Sequence, residues 1–106
     1  IDAPLTANYS LRHVSYIDGW KEGLHAAVIV EDGSANYSNY PFNISIYQED
    51  GTLIASGNNI TGNSFNSGWI ATIEVAGIYT GTSTAVFEII DDQGNSFSGT
   101  ASYLWP

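Results

Sequence analysis

Residues capable of acid–base or nucleophilic chemistry are few in this chain of 106 residues. It contains two histidines, His13 and His25, and no cysteine. Nucleophilic catalysis needs a nucleophile with a base in reach, and glycoside hydrolysis needs two carboxylates held on either side of the scissile bond. His25 alternates with Ala27 and Ile29 in an apolar stretch, and neither histidine belongs to a nucleophile motif. We therefore predict that the chain is not an enzyme.

Acidic residues provide a candidate calcium site. Pairs of carboxylates stand at Glu31-Asp32, Glu49-Asp50 and Asp91-Asp92, each at the end of a predicted strand. Calcium binds several carboxylate and carbonyl oxygens, which neighbouring acidic loops can supply. Two of these pairs would form a site if their strands end at the same pole of a sandwich. The predicted ligands are Asp91, Asp92, Glu31 and Asp32. The alternative is that all three pairs are solvated turn residues.

Aromatic residues are the candidates for ligand binding, since the chain contains three tryptophans and seven tyrosines. Exposed rings stack on sugar faces and also anchor protein interfaces. The predicted ligand-binding residues are Trp20, Tyr37, Tyr40 and Tyr47. Trp20 lies in a predicted turn, and the alternative is that its ring folds over the end of the domain. Trp69 alternates with apolar residues, which places it in the predicted core.

Four Asn-X-Ser/Thr sequences match the acceptor pattern for N-glycosylation. Their asparagines are Asn8, Asn36, Asn43 and Asn59. Serine and threonine are so abundant here that some matches are expected by chance, and four is a mild excess. In an organism that glycosylates secreted proteins these would be surface acceptors, and in other organisms they would have no role.

The charge balance excludes some partners. Eleven acidic residues face two basic ones, Arg12 and Lys21, for a formal net charge of −9. Nucleic acids and anionic membranes are bound through clusters of Lys and Arg, so neither is an expected partner. The apolar runs have only the length of strands, which argues against membrane insertion. Because the chain starts at Ile1 without methionine, we expect a processed secreted protein or one module of a longer chain.

Strands are the elements that must position these residues. The predicted strands are Leu5–Leu11, His13–Ile17, Leu24–Glu31, Pro41–Gln48, Thr52–Ser56, Trp69–Val75, Thr84–Ile90 and Ser96–Leu104. Leu24–Glu31 and Thr84–Ile90 are apolar on both faces, which is typical of central strands. Asp-Gly turns fall between strands, as in Asp18-Gly19. The pattern predicts one all-β domain over residues 1–106, an immunoglobulin-like antiparallel β-sandwich of about seven or eight strands.

The alternation also predicts the core of this sandwich. One face of each strand is apolar and the other polar, with a period of two residues. The residues expected to be largely buried are Phe42, Ile44, Ile46, Trp69, Ile73, Ala85, Phe87 and Ile89.

Several short motifs resemble one family. Residues Ile1–Ala7, which read IDAPLTA, are similar to the opening of PKD-like, immunoglobulin-like repeats of large bacterial surface proteins. Similar features follow over most of the chain: Glu31-Asp32 at a strand end, the alternating Phe42–Ile46 before Glu49-Asp50-Gly51, and the closing Asp91–Gly94. The resemblance implies an immunoglobulin-like fold and an extracellular or cell-surface location.

The chain also departs from that family pattern. Such repeats usually carry a Trp-Gly-Asp-Gly turn, where this chain has Gln48–Gly51. The tyrosine usual two residues after the glycine at position 81 is Ser83 here. The resemblance therefore assigns no ligand.

The chain ends suggest assembly. The first predicted strand carries apolar residues on one face and is followed by the polar break Arg12-His13. An edge strand can pair with another chain as readily as with its own. The residues predicted to take part in assembly are Leu5, Ala7, Tyr9, Leu11 and Trp105. The partner would be a neighbouring repeat or an identical subunit. The alternative is that the first strand pairs within its own domain and Trp105 packs against its own sandwich.

Together these features predict a non-catalytic module of an extracellular or cell-surface protein, acting as a structural spacer or adhesion unit. One alternative is a carbohydrate-binding module that binds polysaccharide through exposed Trp and Tyr. Another is a pilus-like subunit that assembles into filaments by strand exchange through its termini.

Overall fold

The computed structural model describes residues 7–30, 41–65, 68–90 and 96–106, which form strands and no helix. No helix in this part of the chain is therefore long and apolar enough to span a membrane. These ranges contain eight strands: β1 (Ala7–Ile17), β2 (Lys21–Val30), β3 (Phe42–Tyr47), β4 (Leu53–Ile60), β5 (Asn63–Phe65), β6 (Gly68–Ala76), β7 (Thr82–Ile90) and β8 (Ser96–Leu104).

The strands form two four-stranded antiparallel sheets that share one apolar core. The strand order is β1-β2-β6-β5 in the first sheet and β4-β3-β7-β8 in the second. The predicted all-β antiparallel sandwich is confirmed. β2 and β7 are internal strands, as their apolar faces predicted, because each is flanked by a strand on both sides.

The core lies between the inner faces of the sheets. Six of the residues expected there are fully buried: Phe42, Ile44, Ile46, Ala85, Phe87 and Ile89. Trp69 and Ile73 also pack against the core, but they are only half-buried. Ile73 is partly exposed because β5, the strand beside β6, is only three residues long. It pairs with β6 from Gly68 to Ile70 and does not reach Ile73. Burying a large apolar side chain contributes about 1.5–3 kcal/mol.

Two element predictions were wrong. The polar residues Arg12 and His13 do not break the first strand, because both pair with β2 inside the continuous β1. The irregularity comes later, between Val14 and Ile17. The short strand predicted at Thr52–Ser56 is longer, since β4 continues to Ile60, and β5 follows where no strand was predicted. The Asn, Ser and Gly residues between positions 56 and 68 do not favour strands, so the sequence pattern did not predict these strands at the edge of the fold.

The topology gives the sandwich two distinct poles. β1 begins at one end, called here the entry pole, where β2 and β7 end. The paired strands are antiparallel, so the chain direction reverses from each strand to its neighbour. β8 therefore ends at the other end of the sandwich, called here the exit pole. The exit pole also holds residues 18–20, 48–52 and 77–81. An 11-residue strand spans about 36 Å, so the 40 Å length of the molecule runs along the strands.

Candidate functional site

The β1–β2 turn presents Trp20 to solvent at the exit pole. Asp18, Gly19 and Trp20 all have positive φ, at 48°, 77° and 77°. Gly and Asp tolerate this conformation, but for a bulky residue it is uncommon and costs about 1–3 kcal/mol. The Trp20 side chain is 86% exposed. Its ring is therefore not folded over the sandwich, and the turn holds an unfavourable backbone conformation while displaying an indole.

Other exposed hydrophobic side chains share this pole. Six large hydrophobic residues are exposed in the described part of the chain, and only Val86 lies in mid-strand. The remaining five form what we call the exit-pole set: Tyr16, Trp20, Leu53, Ile78 and Leu104. Single exposed hydrophobic residues are normal on a protein surface. Five of the six described ones thus lie at one pole.

Trp105, in contrast, is anchored to its own sandwich. Its side chain is 7% exposed, and its Nε1 donates a hydrogen bond of 2.9 Å to Oγ of the fully buried Ser83. Its backbone N–H donates to the Gly81 carbonyl at 2.9 Å. The ring makes edge contacts with Tyr79 and Tyr103 at centroid distances of 5.8 and 5.2 Å. Ser83, which stands where the family pattern has tyrosine, is the hydrogen-bond acceptor for this ring.

The two histidines have structural partners. His13 stacks on Tyr103 and lies edge-on to Trp105, at centroid distances of 6.1 and 5.3 Å. Its Nε2 is 3.1 Å from Oε1 of Glu22, an ion-pair separation, but the angles do not make a hydrogen bond. His25 lies on the outer face of the first sheet. There its Nδ1 is 3.0 Å from the Tyr16 hydroxyl and 3.5 Å from Oε2 of Glu74.

The β3–β4 turn at the same pole is tight and acidic. Oδ1 of Asp50 accepts a hydrogen bond of 2.9 Å from the Thr52 backbone N–H. Hydrogen bonding from the Thr52 side chain and backbone lowers the pKa of Asp50 below its ordinary value. Glu49 and Asp50 line a shallow cleft of about 260 Å³ together with Gln48 and Thr80. Two carboxylates and an open cleft do not make a metal site.

The predicted calcium ligands Asp91, Asp92, Glu31 and Asp32 lie outside the described residues. The strands that precede them, β2 and β7, both end at the entry pole. The Glu49-Asp50 pair is at the opposite pole and so cannot join them. Within the described ranges, no group of three His, Cys, Asp or Glu side chains could hold a metal ion. Calcium binding stays a prediction.

The other predicted ligand-binding and glycosylation residues are dispersed. Tyr37, Tyr40 and Asn36 fall in the undescribed range 31–40, and Tyr47 is half-buried at the end of β3. Asn8 and Asn59 are exposed. Asn43 is half-buried, and its Nδ2 donates to Oε1 of Glu88 at 3.0 Å. A glycan on Asn43 would disturb this contact with Glu88. Glycosylation of any of the four asparagines stays a prediction.

Of the predicted assembly residues, Leu5 is not described and the others lie on the inner side of the sandwich. Ala7 and Tyr9 are half-buried, and Leu11 is buried. β1 pairs with β2 of the same chain from Ala7 onward. Among the described strands, none lies beside the outer edge of β1 in its sheet. Strand exchange through the first strand stays a prediction.

Comparisons of the chain with protein-family models, with curated proteins and with solved structures found no match. The resemblance to PKD-like repeats therefore stays a prediction. Sequence reasoning missed the bond between Trp105 and Ser83, which are 22 residues apart. It also missed the backbone conformation of Trp20, although the Asp18-Gly19 pair before it was a signal for positive φ.

Proposed function

We propose that this chain is a non-catalytic structural module of an extracellular or cell-surface protein, and that it acts as a short rod whose exit pole abuts a neighbouring unit. The observation that carries the proposal is the placement of the two ends of the described fold. β1 begins at one pole and β8 ends at the other, along the 40 Å axis of the molecule. A module of this shape adds its full length to a chain of repeats.

The anchoring of Trp105 supports this role. Its backbone and side chain are both hydrogen-bonded to the sandwich, so the chain leaves the domain from a defined point and direction. Pro106 follows, and proline restricts φ to a narrow range. A following unit would therefore start from a stiff exit.

The exit-pole set would provide the contact with that unit. Aromatic residues such as Trp20 are frequent anchors of protein interfaces. Contacts between consecutive domains are usually small and polar, and relative motion is expected unless the contact is large and hydrophobic. An apolar contact at the exit pole would convert a flexible string of domains into a stalk.

Two copies of the chain joined from Pro106 to Ile1 test the proposal. We expect small-angle X-ray scattering to give a maximum dimension of about twice the 40 Å length of one domain. Trp20→Ala in the joined protein should shorten the mean dimension and broaden its distribution, because the contact is lost. Val86→Ala, which removes an exposed hydrophobic residue away from the pole, is the matched control. Joined copies that scatter as independent domains with or without Trp20 would contradict the proposal.

Carbohydrate binding through Trp20 is a second candidate, favoured by the exposure and unfavourable φ of this one residue. Strained backbone tends to be retained where a side chain has a function. Isothermal titration calorimetry against a panel of polysaccharides tests it with intact protein, Trp20→Phe and Trp20→Ala. We expect binding that the phenylalanine partly retains, since a flat ring still stacks on a sugar, and that the alanine abolishes. Binding that survives in Trp20→Ala would exclude Trp20 as the platform.

A further inference from the structure

Among the described strands, β8 lies at the edge of the second sheet and lacks the features that usually protect an edge. It is nine residues long, from Ser96 to Leu104, and contains no charged residue and no proline. Its register with β7 is continuous, with no bulge. In the described part of the chain it pairs with β7 alone. A long, regular and uncharged edge is a template for pairing with another strand.

The other edge strands differ in this respect. β1 carries Arg12 and an irregularity between Val14 and Ile17. β4 has two register shifts against β3, and Asn59 within it has a φ of 55°. β5 is only three residues long. Charges, bulges and short length are the features by which proteins prevent edge-to-edge association. Among the described strands, β8 is the one that lacks them.

The sequence of β8 is also complementary to itself. If two copies pair antiparallel with Thr100 opposite Thr100, Gly99 lies opposite Ala101 and Phe97 opposite Tyr103. Ser98 then lies opposite Ser102. Small residues thus meet small ones, rings meet rings and hydroxyls meet hydroxyls, and such cross-strand pairs stabilise sheets. We propose that β8 pairs antiparallel with β8 of a second copy of this chain, about a twofold axis at Thr100.

The surroundings of β8 favour a second copy as its partner. Tyr9 of β1 packs over Gly99, and Trp105 and His13 pack against Tyr103. The inner face of β8 is thus covered. Within the described ranges, its outer backbone edge is unpaired and its outer face carries the hydroxyls of serine and threonine. With a net charge of −9, two copies repel each other over most surfaces, and the charge-free strand is where they approach at least cost.

Pairing along β8 is lateral, because the strand runs parallel to the long axis of the domain. It leaves both poles open. The proposal is therefore independent of the end-to-end contact proposed above, and rods could associate side by side while each remains joined to its neighbours along a stalk.

The mass of the intact chain in solution tests the proposal directly. We expect sedimentation equilibrium to show a reversible monomer–dimer equilibrium. Thr100→Lys should weaken the dimer about tenfold or more, because it places two like charges opposite each other. Ser56→Lys on β4, the other edge of the same sheet, is the matched control. It makes the same change in net charge at an exposed position and should not weaken the dimer.

A charge exchange makes the test specific. Mixing Thr100→Lys with Thr100→Glu should restore a dimer that neither variant forms well alone. Circular dichroism confirms that each variant keeps its strands, which is expected because position 100 is exposed. An intact chain that remains monomeric at millimolar concentration would overturn the proposal. So would a dimer that Thr100→Lys leaves unchanged, or one that Ser56→Lys weakens equally.

Discussion

Trp20 and Trp105 lie at the same pole of the sandwich in opposite situations. Trp105 is 7% exposed, hydrogen-bonded to a buried serine and surrounded by other rings. Trp20 is 86% exposed on a turn with an unfavourable backbone conformation. The first indole contributes to stability through its contacts, whereas the second is displayed at a cost in stability. The comparison shows that residue type does not set a tryptophan's role, which depends on whether the fold provides a partner for the ring and its N–H.

The largest effect is expected from Trp105→Ala. Removing a buried tryptophan costs about 3–5 kcal/mol through lost packing and a residual cavity. It would also leave the rings of Tyr79 and Tyr103 without their central neighbour. Urea denaturation gives the change in the free energy of unfolding, with Trp20→Ala as the control. Equal losses in the two variants would show that the contrast between the tryptophans is wrong.

Ser83→Ala isolates the hydrogen bond within that cluster. It leaves the Trp105 N–H buried without its acceptor, which costs about 1–3 kcal/mol. Trp105→Phe removes the donor as well, so a double-mutant cycle between the two sites measures their coupling. We expect Ser83→Ala to cost clearly less in the Trp105→Phe background. Additive losses would mean that the bond contributes nothing.

Trp20→Asn tests the other side of the comparison and should stabilise the protein by about 1 kcal/mol, because asparagine adopts positive φ more readily than tryptophan. The same variant should lose any contact made by the exit pole. Thermal and urea unfolding report the stability, and scattering from the joined copies reports the contact. A loss of stability would show that the Trp20 ring has a structural partner.

The smallest effect concerns Asp50 in the neighbouring turn. Its pKa is lowered below the ordinary value of 3.8, so its ionised form stabilises the folded state at neutral pH. That contribution is fully present above pH 3.8 and is lost as the pH falls through the lower folded-state pKa. We expect intact protein to melt slightly above Asp50→Asn at pH 7, and the gap to close in strong acid. A gap that persists there would argue against a charge effect.

Much of the fold could be predicted because strand alternation is a local property. Phe42, Ile44 and Ile46 share one face by spacing alone, and so do Ala85, Phe87 and Ile89. The Asp18-Gly19 pair likewise predicts a turn, because each residue tolerates positive φ. Predictions failed where propensity and pairing compete. Arg12 and His13 remain in β1 because β2 supplies hydrogen-bonding partners for both, and β4 continues past Ser56 beside β3.

The candidate sites depended more on contacts that sequence patterns do not encode. The sequence left two alternatives for Trp20, an exposed ring and a ring folded over the end of the domain. The pattern of residues around Trp20 is compatible with both. The chemistry of Ser83 gave no sign that it receives the indole N–H of a residue near the chain end. The unprotected edge of β8 depends on strand order, which alternation cannot supply.

By itself the sequence determined the strand periodicity, the Asp18-Gly19 turn, the apolar faces that form the core and the acidic charge. Each of these follows from side-chain chemistry within a few residues. The tertiary structure alone decided which of the described strands became edges, that β1 begins and β8 ends at opposite poles, and which tryptophan is buried. Those outcomes depend on the pairing of segments far apart in the chain, where hydrogen bonds and packing outweigh local preference.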